Sequence, residues 1–258
     1  MPTPAFHAAA PHAATRAVVR VLNLRKQYRA FYQPSAQHPE IVDVPELTFL
    51  AIDGRIEPGE APATSAAFQN AVQALYGAAY TLKFISKLRP VDPIDYPVMA
   101  LEALWWVDDG RFELAKPDNW RWRAMILQPP HITPALLAEA LASLRTKKPT
   151  LVTDGLRLET YREGLCVQML HVGPYATEPA TVATMRAFAA GRGLRERFSQ
   201  AQTGAICGHH EIYLSDPRRA APRPTSSRPS SGIRWRRFQI HRITGGCSSG
   251  RWYSGARR

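Results

Sequence analysis

The sequence predicts an α+β protein made of two pseudo-symmetric β-α-β-β units. Their strands are expected to form a curved antiparallel sheet, with helices on one side and a ligand cleft between the units. Two observations lead to this prediction. Runs of alternating apolar residues follow one another as hairpins as well as across helices, which is typical of α+β chains. A similar order of elements then recurs after residue 130, which indicates an internal duplication.

The first unit is predicted over about residues 46–128. A helix before it is expected from the spacing of apolar residues in 22–32, which Pro34 ends. Within the unit, apolar residues three and four positions apart predict a long helix, and β-branched and aromatic runs predict strands. In chain order these elements are a strand at 47–52, a helix at 67–88, and strands at 98–107 and 120–127.

The second unit is predicted over about residues 133–216. It begins with a helix that Thr133 caps and that has Pro134 at its first position. Glu163 and Gly164 are expected to form a short turn between two strands. The predicted elements are a helix at 134–146, strands at 156–161 and 165–172, a helix at 178–190, and a strand at 211–214.

The two ends differ in composition from this domain, which spans residues 22–222. Residues 1–21 are Ala-rich and are expected to form a disordered leader. Residues 223–258 are rich in Arg, Ser and Gly with few aliphatic residues, so a disordered tail is expected. The net charge of +12 comes mostly from this end, because residues 221–258 hold nine arginines and no acid. The charge therefore predicts no specific nucleic-acid partner, and a nucleic-acid-binding function would depend on the tail alone.

Other classes of site and location are disfavoured by simple patterns. No run is long enough to span a bilayer, and the N-terminus lacks the apolar core of a secretory signal, so a cytoplasmic protein without a membrane partner is expected. The three cysteines, Cys166, Cys207 and Cys247, are far apart and have no metal-binding spacing. No phosphate loop, nucleophile elbow or dinucleotide fingerprint is present, so no metal and no cofactor are predicted.

Two strands carry an acid beside aromatic residues. Glu211 and Tyr213 share one face of the last strand, and Glu102 and Trp106 share one face of strand 98–107, with Trp105 on the other face. Pairing with an arginine or exposure to solvent would also explain these acids. The duplication, however, predicts that equivalent strands meet at the pseudo-dyad. The two acids would then converge on one aromatic-walled cleft, suited to a flat, apolar or cationic ligand.

Further residues are candidates for the same cleft. Trp122 could extend the aromatic wall, although core packing is the commoner role of a single tryptophan. His171 and Tyr175 flank Gly173-Pro174, where they form either a structural turn or a polar pair at the mouth of the pocket.

Several segments together resemble the stand-alone GyrI-like small-molecule-binding proteins, part of the superfamily of effector-binding domains of multidrug-sensing transcription activators. The resemblance covers about residues 22–222 and is carried by VPELTFLAIDG, LEALWW, WRWRAMILQP, LRLETYREGLCVQMLHVGPYATEPAT and HHEIYLSDPRR. It implies a ligand cleft that contains Glu211. It also implies one of two functions: hydrolysis of cyclopropanoid, DNA-alkylating molecules, or non-enzymatic sensing or sequestering of ligands for a protein partner.

The chemistry of opening a cyclopropane ring with water suggests roles for the candidate residues. In hydrolysis, Glu211 would act as the acid/base and Tyr213 as an orienting or donating group. Glu102 would be a second polar contact, with Trp106 and Trp122 stacking on a planar ligand.

The chain departs from the family pattern at two places. The segment QAQTGAICG at 200–208 precedes the HHEIYLSDPRR motif as an insert. After Pro222 the family's lysine- and leucine-bearing ending is replaced by RPTSSRPSSGIRWRRFQ, which indicates a frameshifted or otherwise altered C-terminus.

Overall fold

A computed structural model describes residues 17–108, 112–114, 116–117, 119–194, 208–214 and 238–244. Within these ranges no helix has both the length and the apolar character needed to cross a membrane. The helices are α1 (Leu24–Gln27), α2 (Arg29–Tyr32), α3 (Ala66–Leu88), α4 (Pro134–Lys147) and α5 (Glu178–Ala190). The strands are β1 (Arg20–Val21), β2 (Glu40–Arg55), β3 (Ile94–Asp95), β4 (Leu101–Trp106), β5 (Arg121–Leu127), β6 (Arg157–Val172), β7 (His209–Tyr213) and β8 (Phe238–Thr244).

The structure confirms the predicted α+β class with two pseudo-symmetric β-α-β-β units, although the second unit runs from β6 to β8, over 157–244, rather than over the expected 133–216. The first unit is β2-α3-β4-β5 and the second is β6-α5-β7-β8, while α4 lies in the connection between them. Six strands form one antiparallel sheet in the order β2-β5-β4-β7-β8-β6. The units meet twice, where β4 pairs with β7 and where β2 pairs with β6, so the sheet curls until it closes.

Strand β8 was not predicted, because it lies in the segment expected to be disordered. It pairs with β6 from Cys166 to Val172 and with β7 from His210 to Tyr213. In this position β8 is the counterpart of β5, which lies between β2 and β4 in the first unit. The tail therefore contributes the last strand of the second unit, and the expectation of disorder is wrong for these seven residues. The rest of the tail, and residues 1–16, lie outside the described residues.

Two long strands, β2 and β6, pair along most of their length. The sequence predicted two strands around a turn at Glu163-Gly164, but β6 runs unbroken through both residues. Pairing reaches Val44 opposite Gly164 and resumes at Glu46 opposite Arg162, so it skips Pro45, which has no N–H to donate. Gly164 has a φ of 73°, a left-handed conformation that favours glycine. Here the turn signal marks an irregularity within a strand rather than a reversal of the chain.

The three long helices, α3, α4 and α5, begin within one residue of where the sequence predicts. The Ser65 side chain accepts a hydrogen bond from the N–H of Phe68 at the start of α3, and Thr133 does the same for Leu136 in α4. Apolar residues of α3 face the sheet, and Phe68 contacts Trp105 and Trp122. Helix α5 packs on β6 through a separate small core of Val167, Met169, Val182, Met185 and Ala189. We call the face of the sheet that bears α3 and α5 the outer face, and the opposite face the inner face.

The N-terminal helix is shorter than predicted. In place of one helix over 22–32 there are two single turns, α1 and α2, which meet at Tyr28. Before them β1 pairs in parallel with β3, so the last two residues of the expected leader are ordered.

Candidate active site

The strand β7 carries the HHEIY motif, and its alternation separates the polar side chains onto two faces. Backbone pairing places Glu211 opposite Ala103 and His209 opposite Trp105, and these side chains point to the outer face. His210 pairs with Leu104 and points to the inner face. Two neighbouring histidines therefore belong to two different clusters.

The outer cluster consists of Glu178, His209, Glu211 and Tyr213. Nε2 of His209 lies 3.4 Å from Oε1 of Glu178 and 3.4 Å from Oε1 of Glu211. Tyr213 donates a short hydrogen bond to Oε2 of Glu211. Glu178 is the first residue of α5, whose position against β6 brings its carboxylate over β7. His209 is 2% exposed and both glutamates are 5% exposed, so the cluster is closed to bulk water.

Two groups of the outer cluster, His209 and Glu178, have pKa values raised above their ordinary values. Burial lowers the pKa of His209, but the carboxylates of Glu178 and Glu211 outweigh it and raise that pKa to about 9. Burial, with the nearby charge of Glu211, raises the pKa of Glu178. The cluster thus combines a basic imidazole with a carboxyl group that retains its proton more readily than usual, which is a pair suited to proton transfer.

The inner cluster consists of Tyr32, Glu102, Glu163 and His210. His210 lies between two carboxylates, with Nδ1 2.9 Å from Glu163 and Nε2 3.1 Å from Glu102. Tyr32 of α2 donates a short hydrogen bond to Glu102. Burial lowers the pKa of His210, but the charge of Glu163 and the contact with Glu102 raise it above its ordinary value. These contacts join α2, β4, β6 and β7 across the inner face.

Aromatic rings form a row that ends at the outer cluster. The ring centroids of Trp105 and Trp120 are 5.5 Å apart, and those of Trp120 and Phe112 are 4.7 Å apart. Phe112 stacks on His209 at 5.7 Å with an angle of 20° between the planes. At its other end the row continues from Trp105 to Phe68 of α3. An acid and an imidazole thus lie at the end of an aromatic wall.

The expected convergence of Glu102 and Glu211 on one cleft is wrong. In the β4–β7 register Glu102 pairs with Ile212, so Glu102 and Glu211 point to opposite faces of the sheet. Trp106 lies on the inner face with Glu102, whereas Trp105 and its pairing partner Trp122 lie on the face of Glu211. Glu211 pairs with Ala103, the neighbour of Glu102, so alternation along β4 puts the two acids on opposite faces and in separate clusters.

The other predicted site residues have mainly structural surroundings. Trp122 is buried against Phe68, and its indole lies so close to Gly54 that a Cβ there would be 2.1 Å away. The ring of His171 lies 2.8 Å from the hydroxyl of Thr181 and 3.2 Å from the carbonyl of Pro174, which fixes the start of α5. Tyr175 begins a single 3₁₀ turn before α5, and its side chain lies outside the described residues.

Sequence reasoning missed five residues that complete the two clusters: Tyr32, Glu163, Glu178, His209 and His210. A signal existed for the two histidines, because histidines in a buried strand require polar partners. No periodicity could identify Glu163 or Glu178. His210, the partner of Glu163, lies 47 residues further along the chain. Glu178 lies on helix α5, whereas its partner His209 lies on strand β7.

Three side chains of the outer cluster have the donor types of a metal site. The ligand atoms of Glu178, His209 and Glu211 lie within 4.8 Å of one another. Among the described residues, this is the one group of three or more His, Cys, Asp or Glu side chains whose ligand atoms lie this close together. Its donors are one imidazole nitrogen and two carboxylate oxygens.

Comparisons with known proteins identify relatives of known structure. No protein-family model and no curated protein matches the chain. It resembles the crystal structure of an uncharacterized conserved protein from Listeria innocua, with 38% identity, a TM-score of 0.70, and coverage of 86% of this chain and 98% of that one. A hydrolase from Listeria innocua is 36% identical with a TM-score of 0.68, over 86% of this chain and 98% of that one. At this identity over nearly the whole length of the relatives, the chain belongs to the same family as these Listeria innocua proteins.

Proposed function

We propose that this protein is a GyrI-like small-molecule-binding protein that binds flat, apolar or cationic molecules beside the outer cluster and hydrolyses reactive cyclopropanoids among them. The observation that carries the proposal is the buried carboxylate of Glu211, which accepts a hydrogen bond from Tyr213 at the end of the aromatic row. A carboxylate beside aromatic rings binds cationic and planar ligands. The relationship to a Listeria innocua hydrolase supports a hydrolytic activity.

The outer cluster has the groups that ring opening by water requires. Glu211 accepts a proton from water as the water oxygen attacks a cyclopropane carbon. The carbon–carbon bond of the ring breaks, and its electron pair passes into the conjugated dienone to form a phenolate. Tyr213 donates its proton to that oxygen and recovers one from Glu211 along the hydrogen bond that joins them. The sum is addition of one water molecule, and all protons are accounted for.

The geometry narrows the set of residues assigned to this site. Glu102 and Trp106 lie on the inner face, so they are not proposed to contact the same ligand as Glu211. Trp105, Trp120 and Phe112 supply the aromatic wall on the outer face. Because the cluster is closed to solvent, ligand entry is expected to displace part of the chain that covers it.

The test compares wild-type protein with Glu211→Gln and Tyr213→Phe, using a cyclopropanoid drug and mass spectrometry of the product. We expect Glu211→Gln to reduce turnover by about 100-fold or more, the usual contribution of a general base. Binding of the drug to this variant, measured by the quenching of tryptophan fluorescence, should persist. Glu163→Gln is the matched control, since it removes an equally buried carboxylate that contacts the neighbouring histidine on the inner face.

The outcomes separate the candidate functions. Turnover that Glu211→Gln leaves unchanged would contradict the site assignment. Binding without turnover by the wild-type protein would favour the non-enzymatic alternative, a sensing or sequestering module that acts on a protein partner.

A further inference from the structure

We propose that Glu178, His209 and Glu211 form a binding site for one divalent transition-metal ion, such as Zn²⁺. All three ligands belong to the outer cluster, but the site does not depend on the proposed function. A metal ion can be bound whether or not the protein hydrolyses a cyclopropanoid.

The distances in the outer cluster suit a shared ion better than a direct hydrogen bond. A hydrogen bond from an imidazole N–H to a carboxylate usually has an N···O distance of about 2.7–3.2 Å. Both His209–carboxylate distances are 3.4 Å. Tetrahedral ligands of zinc, each about 2.0–2.2 Å from the ion, are roughly 3.3–3.6 Å apart. The distance from Nε2 of His209 to each carboxylate oxygen is therefore the distance expected between two ligands of one ion.

The inner cluster provides an internal comparison. His210 is one residue away on the same strand and also lies between two glutamates, but its distances are 2.9 Å and 3.1 Å. Each of its ring nitrogens contacts a different carboxylate. In the outer cluster, by contrast, both carboxylates converge on the same nitrogen, Nε2 of His209. One N–H cannot donate well to two acceptors, whereas one ion can bind all three atoms.

The protein also holds the ligands in place. Glu178 is fixed at the first turn of α5, and His209 and Glu211 project from the same face of β7. Tyr213 donates to the second oxygen of Glu211, which orients that carboxylate as outer-sphere partners do in metal sites. One imidazole and two carboxylates suit Zn²⁺ and its first-row neighbours, and three protein ligands leave a position for water. Such a water would be a nucleophile at neutral pH.

The experiment measures metal binding by the full-length protein. The purified chain is stripped with a chelator, incubated with Zn²⁺ or Co²⁺, and freed of excess metal, and its metal content is measured by mass spectrometry. We expect about one ion per chain, and a Co²⁺ absorption spectrum typical of low coordination number. Glu178→Gln and His209→Gln should each reduce affinity by at least about tenfold.

The control variants are Glu163→Gln and His210→Gln, which make the same changes in the inner cluster. They should keep the metal affinity of the wild-type protein. Equal loss in both sets of variants, or wild-type protein without bound metal, would overturn the proposal. If the outer-cluster variants fail to fold, X-ray absorption of the Co²⁺-loaded wild type decides. A first shell of nitrogen and oxygen ligands at about 2.0–2.2 Å with the outer-shell scattering of one imidazole ring is expected, and a spectrum without imidazole scattering would overturn the proposal. Metal binding without turnover would contradict only the proposed function, and turnover by metal-free protein with no metal affinity would contradict only this inference.

Discussion

Asp53 is the centre of a charged network near one end of the sheet, where β2, β5 and β6 meet. Its carboxylate receives bidentate hydrogen bonds from Arg123 at 2.7 and 2.9 Å, and a third from Arg157 at 3.0 Å. Glu159 completes the network by contacting both arginines. Partial burial raises the pKa of Asp53, but the two guanidinium groups outweigh it and hold that pKa below its ordinary value.

This shift predicts how Asp53 affects stability as pH changes. A carboxyl group with a lowered pKa in the folded state stabilises the protein above its unfolded pKa of about 4, and this contribution is lost as pH falls through the folded value. We expect Asp53→Asn to lower the free energy of unfolding by about 1 kcal/mol at pH 7, because the network is partly exposed. The difference from wild type should shrink as pH falls below about 4 in urea titrations. Asp43→Asn, an exposed acid on the same strand, is the control, and a difference that stays constant with pH would contradict the prediction.

How far single residues could be predicted depends on whether their partners are local. Alternation within β7 correctly placed Glu211 and Tyr213 on one face, because that pattern is a property of one strand. The relation of Glu211 to Glu102 depends on the register between two strands, and a shift of one residue reverses the face. Nothing in either strand alone determines that register. Glu178 could not be assigned for a similar reason, since only the packing of α5 brings it to His209.

Among the secondary-structure elements, the three long helices α3, α4 and α5 were predicted almost to the residue, because capping residues and apolar spacing are encoded locally. The prediction of a helix at 67–88 compares with Ala66–Leu88 in the structure. The prediction of strands was less accurate at Glu163-Gly164, where a glycine with positive φ lies at an irregularity within strand β6 rather than in a turn. Strand β8 was missed because its pairing partners, β6 and β7, are distant in sequence.

Helix α2 is linked to the sheet by buried polar contacts, and the one made by the Tyr32 side chain can be tested. Tyr32 is 8% exposed, and its hydroxyl donates to Glu102 on β4. We expect Tyr32→Phe to destabilise the protein by about 1–3 kcal/mol, because Glu102 loses a donor while it remains buried. Hydrogen exchange at α1 and α2 should accelerate more than exchange at α3. Tyr28→Phe removes a hydroxyl from a half-buried ring that stacks on Phe31, and it should change the stability much less. An equal effect of the two substitutions would show that the Glu102 contact does not hold α2.

At the scale of the whole molecule, the pseudo-symmetry explains why a strand from the tail matters. In the first unit β5 satisfies the edges of both β2 and β4. The second unit presents the same two edges on β6 and β7, and β8 fills the gap between them. Without β8 the sheet would be open, and two strands would present unpaired N–H and C=O groups. One of those strands is β7, which carries both histidines and Glu211.

Deletion of residues 223–258 should therefore destabilise the second unit rather than remove an inert tail. Loss of β8 removes the backbone partners of Cys166 to Val172 and of His210 to Tyr213. We expect a lower melting temperature and faster hydrogen exchange in β6 and β7, with exchange in β2 and β5 nearly unchanged because their mutual pairing remains. Ligand or metal binding at the outer cluster should weaken as well, because β7 positions two of its side chains. Deletion of residues 245–258 leaves the eight strands of the described residues in place and is the matched control. If both truncated proteins were as stable as the full chain, β8 would contribute nothing to the fold, and the sheet would be a five-stranded half-barrel in solution.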